Sequence, residues 1–264
     1  MSGVNLVEVY ATVTDRAGKP IRGLTARDFT VSEDGRPQVV TTFAAGDFPL
    51  SAAVAIDRSF SMGERIGVAK SAARAFIGAL RPIDEVMVLA VGSEIETATA
   101  LTTDHREALA SIDRLDRWGT TPLYDATRDA IDAIGQAKGR RALILVSDGD
   151  DRYSETTAED LLDHARRSNV LIYPVAIGKT RPPVFAELAA ATGGRSFHEQ
   201  TPAGLNATMA LVADELRFQY LLGYVPSPAT AGEAASAKPE WRSIDVRANR
   251  ADAVVRSRDG YYAR

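Results

Sequence analysis

Between Leu50 and Arg217 short, near-continuous apolar runs alternate with longer stretches of helical spacing. No other feature of the chain restricts its fold so strongly. The runs are "LSAAVAI", "EVMVLAV", "RALILV" and "NVLIYPVAI". A strand with water on one face is polar at every second position, whereas a strand covered on both faces is apolar throughout. These runs are of the second kind. Between the first two, Ile66, Ala69, Ala73, Phe76, Ile77 and Leu80 recur at helical spacing until Pro82 stops the helix. Further helices are expected over "DHREALASIDRL", with Asp104 as N-cap, and over "TPLYDATRDAIDAIGQA", closed by Gly139. "TTAEDLLDHARRS" carries a capping box from Thr156 to Glu159, and "PPVFAELAAATGG" ends at a glycine pair. "LNATMALVADELRFQ" is the last helix, "EIETATALT" reads as a third buried strand after "LSAAVAI" and "EVMVLAV", and "RSFHE" as a short strand. Strands alternating with helices predict an open α/β sheet, mostly parallel.

The ends of the chain follow a different pattern. In "VNLVEVYATVTD", Val7, Val9, Ala11 and Val13 fall on one face of a strand. "LTARDFTVSEDGRPQVVTTF" reads as a hairpin turning at Asp34-Gly35. "YLLGYVP", "WRSIDVRANR" and "AVVRSRDGYYAR" are strand-like, and the Ala-, Ser- and Pro-rich stretch at 226–240 reads as a flexible loop. Each flank alone is too short to bury a core. Together, residues 1–47 and 218–264 are expected to form the two halves of a small β-sandwich, with the α/β domain, 48–217, inserted between them.

Composition narrows the function. A net charge of -4 leaves no excess of basic residues to neutralise nucleic-acid phosphates. Of the 31 basic residues only five are Lys, and they form no patch. The absence of Cys removes disulfides, thiolate metal sites and Cys nucleophiles. No apolar run approaches the ~18 residues of a membrane span, and "MSGVNLVEVY" has neither the basic start nor the apolar core of a signal peptide.

In open α/β sheets ligands bind at the carboxyl ends of the strands. Two runs here end on polar clusters, "DRSFS" at 57–61 and "SDGDD" at 147–151, and "GTTPLYD" opens the helix before the second. Their inventory is two carboxylates, Asp57 and Asp148, and hydroxyls from Ser59, Ser61 and Thr120 or Thr121. All are hard oxygen donors, suited to Mg²⁺ and poorly suited to Zn²⁺ or Cu²⁺. In an extended loop, alternate side chains of D-x-S-x-S point the same way. Neutral hydroxyls would also leave the ion an open position for an outside carboxylate. By chance D-x-S-x-S arises in roughly one chain of this length in twenty. The two later loops in the right order make the pattern specific.

Asp57, Ser59 and Ser61, then Thr in "GTTPLYDA", then Asp in "LVSDG" resemble the metal-ion-dependent adhesion site (MIDAS) of von Willebrand factor A (VWA) domains, over about residues 48–217. The family threonine precedes a small helical residue by five, which selects Thr121, counting back from Ala126. The flanks are similar to a bacterial, Acidobacteria-type, VWFA-related subfamily of exported proteins. The resemblance implies a Rossmann-like fold with Mg²⁺, or Mn²⁺ or Ca²⁺, held by Asp57, Ser59, Ser61, Thr121 and Asp148. It further implies a partner protein that presents an Asp or Glu, an adhesive, non-enzymatic role, and a secreted, periplasmic or cell-surface location. In some relatives the last helix slides when ligand binds.

Simpler roles compete for each residue. Asp57, Ser59 and Ser61 could form a polar turn capping the helix at 64–80, and Thr121 could cap the helix beginning at Pro122. Asp148, Asp150, Asp151 and Asp125 could be solvated acids. Trp118 could contact a ligand or pack in the core. Glu64, Asp150 and Asp151 would oppose an acidic partner unless Arg58, Arg65 and Arg152 offset them. Two other functions remain open: a Mg²⁺-dependent phosphoryl-transfer enzyme with Asp57 as nucleophile and Arg58 near the phosphate, and a structural assembly subunit with a vestigial metal site.

Overall fold

The computed structural model describes residues 6–46, 48–226 and 240–263. The stretch read as a flexible loop lies, apart from its two end residues, outside the described residues. In chain order the strands are β1 (Val7–Thr14), β2 (Phe29–Glu33), β3 (Arg36–Gln38), β4 (Val40–Ala45), β5 (Leu50–Asp57), β6 (Glu85–Val91), β7 (Ile95–Thr102), β8 (Arg140–Ser147), β9 (Val170–Ile177), β10 (Phe197–Glu199), β11 (Tyr220–Tyr224), β12 (Glu240–Ala248), β13 (Val254–Arg256) and β14 (Gly260–Ala263). The helices are α1 (Arg65–Ala79), α2 (His105–Arg114), α3 (Leu123–Gly135), α4 (Ala158–Arg167), α5 (Pro183–Thr192) and α6 (Pro202–Arg217). The chain divides into two compact units, Phe48–Asp214 and the pair Met1–Asp47 with Glu215–Arg264.

The central unit holds a six-stranded sheet of order β10-β9-β8-β5-β6-β7. All its pairings are parallel except β6 with β7. β5, read as covered on both faces, is buried at all eight positions. β7 is the exception, half exposed along its length, because it lies at the sheet edge. The core on one side joins Ala53, Ala55, Leu89, Leu143 and Leu145 of the sheet to Leu123, Ile131 and Leu161 of α3 and α4.

The helix ends depart from the sequence reading in α3, α4 and α6, the last of which begins at Pro202 rather than Leu205. Asp104 caps α2 as expected, accepting from the backbone N–H of Arg106 at 3.0 Å. α4 is capped by Thr157, not Thr156, through the Asp160 N–H at 3.1 Å. Thr156 stays in the preceding loop because Asp125 holds its backbone N–H at 2.9 Å. α3 ends at Gly135 rather than Gly139, and the Arg141 guanidinium donates to the Gly135 carbonyl at 2.7 Å.

The second unit has two four-stranded sheets, β13-β1-β11-β4 and β14-β12-β2-β3. They share one core containing Val9, Val13, Phe29, Val31, Leu222, Tyr224 and Val246, which makes them a sandwich. Val7, Val9, Ala11 and Val13 are buried, as the alternation predicts. At the β2–β3 turn Asp34 and Gly35 have φ of 48° and 75°. Two left-handed residues in succession give the type I′ turn that matches strand twist. Glu33, 4% exposed, is satisfied in the core by the Tyr224 hydroxyl at 2.7 Å and the Tyr261 hydroxyl at 2.9 Å. Burial, and then the carboxylate itself, lift both hydroxyls above the ordinary tyrosine range.

At the amino-terminal edge of the central sheet, Asp84 ties the start of β5 to the turn between α1 and β6. Its carboxylate accepts from the backbone N–H of Leu50 at 3.0 Å, from that of Arg81 at 2.9 Å and from the Arg81 guanidinium at 2.9 Å. Burial acts to raise the Asp84 carboxyl, but the Arg81 contacts and the Leu50 N–H outweigh it and hold it below the usual range. A depressed carboxyl stabilises the fold above its unfolded value, and that contribution disappears as pH falls through the folded value. Thermal melts should therefore show Asp84→Asn to be less stable than the parent by about 1–3 kcal/mol at neutral pH, with the gap closing below pH ~3.8.

Candidate metal centre

Strand order dictates where the central unit can bind a ligand. From β5 the chain runs outward through β6 and β7, then returns to place β8 on the other side of β5. A crevice opens at the carboxyl ends of strands where the order reverses in this way. β5 ends at Asp57 and β8 at Ser147, so both polar clusters flank that crevice.

Asp57 is fully buried, and its carboxylate is bonded from both sides. Ser147 Oγ–H donates to Oδ2 at 2.6 Å, and the Ser59 N–H donates to Oδ1 at 2.9 Å. From there a chain of hydroxyls leads to the second carboxylate. Ser59 Oγ and Ser61 Oγ share a hydrogen bond of 3.0 Å, and Ser61 Oγ donates to Asp148 Oδ1 at 3.4 Å. Asp57, Ser59, Ser61 and Asp148 thus form one connected set. Burial pushes the Asp57 carboxyl above the ordinary range; the Ser147 and Ser59 bonds pull it down, and neighbouring Asp148 pushes it up. The set is short of positive charge.

Thr121 differs from these four. It is 2% exposed, yet its Oγ1 has no hydrogen-bond partner among the described residues. It does not cap a helix, because α3 begins two residues later with Pro122 between. Neither do the serines: Ser59 precedes a 3-10 turn at Phe60–Met62 without a side-chain cap bond, and α1 starts after Glu64. The capping roles read as alternatives are therefore not taken up. Backbone bonds bring the Thr121 loop to its neighbours. The Phe60 N–H donates to the Gly119 carbonyl at 3.0 Å, the Trp118 N–H to the Arg58 carbonyl at 2.8 Å, and the Arg152 N–H to the Thr121 carbonyl at 2.7 Å.

The arginines settle the balance of the rim. Arg65 lies 3.3 Å from Asp148 Oδ2 and donates to the Ser61 carbonyl at 2.8 Å. Arg152 pairs with Asp150 at 2.8 Å. Arg58 turns away from the centre to Glu96 at 2.6 Å and Asp116 at 3.7 Å, and stacks 5.3 Å from the Trp118 ring. Asp151 and Asp125 fold the loops. Asp151 Oδ1 takes the Tyr124 N–H at 3.2 Å, and Asp125 Oδ1 and Oδ2 take the N–H groups of Thr156 and Glu155 at 2.9 Å each. Sequence reasoning missed Ser147, which bridges Asp57 and the Gly149 N–H at 2.9 Å. Its position as the last residue of a central strand, beside Asp148, was the available signal.

The donors fit a hard divalent cation: two carboxylates, two linked hydroxyls and one buried hydroxyl with an unused lone pair. Among the described residues no group of three His, Cys, Asp or Glu is placed to hold a metal, so an ion here would rest on hydroxyls as much as on carboxylates.

The fold of the central unit, a mostly parallel sheet flanked by helices, is similar to that of von Willebrand factor type A domains. A family model for the von Willebrand factor type A domain matches residues 53–150, a span containing all five candidate residues. No curated protein sequence matches the chain. Among solved structures it resembles a von Willebrand factor type A protein from Catenulispora acidiphila (14% identity, TM-score 0.57, 99% of this chain and 75% of that one). It also resembles BatB from Bacteroides thetaiotaomicron (16% identity, TM-score 0.53, 63% and 98%). A third likeness is to proximal thread matrix protein 1 of the mussel byssus, solved with a zinc-occupied MIDAS motif (14% identity, TM-score 0.56, 70% and 49%). At these identities the likeness is one of fold.

The unpartnered Thr121 hydroxyl makes a direct prediction. In chelator, Thr121→Val should be at least as stable as the parent, gaining up to about 1–3 kcal/mol, because an isosteric methyl replaces a buried unsatisfied hydroxyl. Urea denaturation compares the two.

Proposed function

We propose that this protein is a non-catalytic, metal-ion-dependent protein-binding module, in which Asp57, Ser59, Ser61, Thr121 and Asp148 hold a divalent cation. The observation that carries this reading is Thr121 Oγ1, buried and without a partner, on a loop bonded to both loops of the hydroxyl–carboxylate chain. Desolvating a hydroxyl without a hydrogen bond costs stability unless some state of the protein uses it. The cation would supply an electrophilic position for an Asp or Glu carboxylate from a partner protein. Ser147 and the Ser59 N–H fix the Asp57 carboxylate, Ser59 and Ser61 together link the two acids, and Arg65 holds Asp148 in place.

Oxygen-only donors favour Mg²⁺, with Mn²⁺ and Ca²⁺ as alternatives. The zinc-occupied MIDAS motif of the mussel protein supports a divalent ion as the class. The commitment of Arg58 to Glu96 and Asp116 favours binding over phosphoryl transfer, since it takes away the cation nearest in sequence to Asp57. We read residues 48–217 as the binding domain and 1–47 with 218–264 as the sandwich that carries it. The flanks favour the exported bacterial VWFA-related subfamily, and with it a secreted or cell-surface adhesive role. Among the described residues no helix is long and apolar enough to cross a membrane.

A ligand that binds only the native state stabilises it, by about 2.7 kcal/mol at a hundredfold excess over Kd. Mg²⁺ should therefore raise the Tm of the full chain relative to EDTA, and Asp57→Ala and Ser61→Ala should each abolish the rise. A rise that persists undiminished in both variants would place the ion elsewhere and sink the assignment.

A further inference from the structure

The aromatic residues of the chain are distributed in a way that stability does not require. Among the described residues the exposed ones are Phe60 (66%), Trp118 (44%) and Tyr153 (79%). One lies on each of the three loops that form the candidate metal centre. Phe60 sits between Ser59 and Ser61, Trp118 three residues before Thr121, and Tyr153 five after Asp148. Leaving a large aromatic side chain in water forgoes roughly 1.5–3 kcal/mol of burial. Tyr153 also has a φ of 69°, a left-handed conformation that bulky residues rarely adopt. Its neighbours impose it: the Arg152 N–H is held by the Thr121 carbonyl at 2.7 Å, and Ser154 Oγ bonds Asp151 at 2.5 Å.

Beside Trp118 lies a groove of about 640 Å³ whose lining includes Arg58, Glu94, Glu96 and Asp116. Arg58, 9% exposed, forms ion pairs with Glu96 and Asp116. Glu94 is exposed, and no ion pair is formed with it among the described residues. Three carboxylates against one guanidinium leave the groove with a net negative charge next to an exposed indole, a surface complementary to a basic side chain.

We infer that the partner docks on the rim formed by Phe60, Trp118 and Tyr153. Its metal-binding carboxylate is flanked by apolar side chains, and a nearby Lys or Arg enters the groove at Glu94. The inference rests on the metal-site reading and adds the chemistry around the carboxylate. Exposed Trp and Tyr at the centre of an interface commonly carry most of its binding energy. The basic side chain also explains how an acid-rich rim admits an acidic partner: the partner segment brings charges of both signs.

The test is selection of a random 12-residue peptide library displayed on phage against the immobilised full chain in Mg²⁺, with elution by EDTA. Enriched peptides should carry one Asp or Glu, adjacent apolar residues and a Lys or Arg within a few positions. Phe60→Ala and Trp118→Ala should each lower their capture about tenfold or more while the Mg²⁺-dependent rise in Tm persists. Glu94→Lys, on an exposed loop, should keep the metal response and select peptides without the basic residue. Enrichment of acidic peptides with no basic or apolar preference, capture untouched by these variants, or no enrichment would overturn the inference. Loss of the Mg²⁺ effect on Tm in the unmutated chain would instead overturn the metal reading beneath it.

Discussion

The parallel pairing of β5 with β8 is the constraint on which the central unit depends. It puts two almost wholly buried strands side by side at the point where strand order reverses, so their carboxyl ends meet in one crevice. Asp57, the last residue of β5, is carried into that crevice with no access to water. A buried carboxylate must find donors, and the last residue of the neighbouring strand, Ser147, provides one at 2.6 Å. The Asp57 contact thus reports the strand pairing and orients the group that begins the hydroxyl chain to Asp148.

Electrostatics distinguishes this edge from the opposite one. At the amino-terminal edge, Asp84 is matched with Arg81, and the Arg81 and Arg140 guanidinium groups both donate to the Phe48 carbonyl. Charges there are paired and serve stability. At the carboxyl edge some outer acids are paired as well, Asp150 with Arg152 and Glu96 with Arg58. The inner set is different: Asp57 is held high by burial, and Thr121 Oγ1 is left without a partner. A bound cation would meet the demand that this inner set leaves open.

Much of the architecture was legible because burial leaves a mark on sequence. The continuous apolar runs became the central strands, the alternation of Val7, Val9, Ala11 and Val13 became a buried face, and Asp34-Gly35 became the hairpin turn. Helix ends were read less well. Thr156 and Thr157 are chemically equivalent as caps, and the choice between them was made by Asp125, about thirty residues away. Likewise Gly139 looked like the end of α3, whereas Arg141 folds back to cover the carbonyl of Gly135.

Sequence by itself determined the chemistry available: strand-end carboxylates and hydroxyls, and no thiols; the extended loop expected after Asp57 is instead a 3-10 turn at Phe60–Met62. Residue chemistry is local, and a chain states it directly. Only the tertiary structure decided which groups meet. It joined Asp57 to Ser147 across ninety residues, sent Arg58 outward to Glu96 and Asp116, left the Thr121 hydroxyl buried and alone, and placed one exposed aromatic residue on each of the three loops. The physical reason is strand order, since pairing across the switch point brings together residues that no sequence window contains.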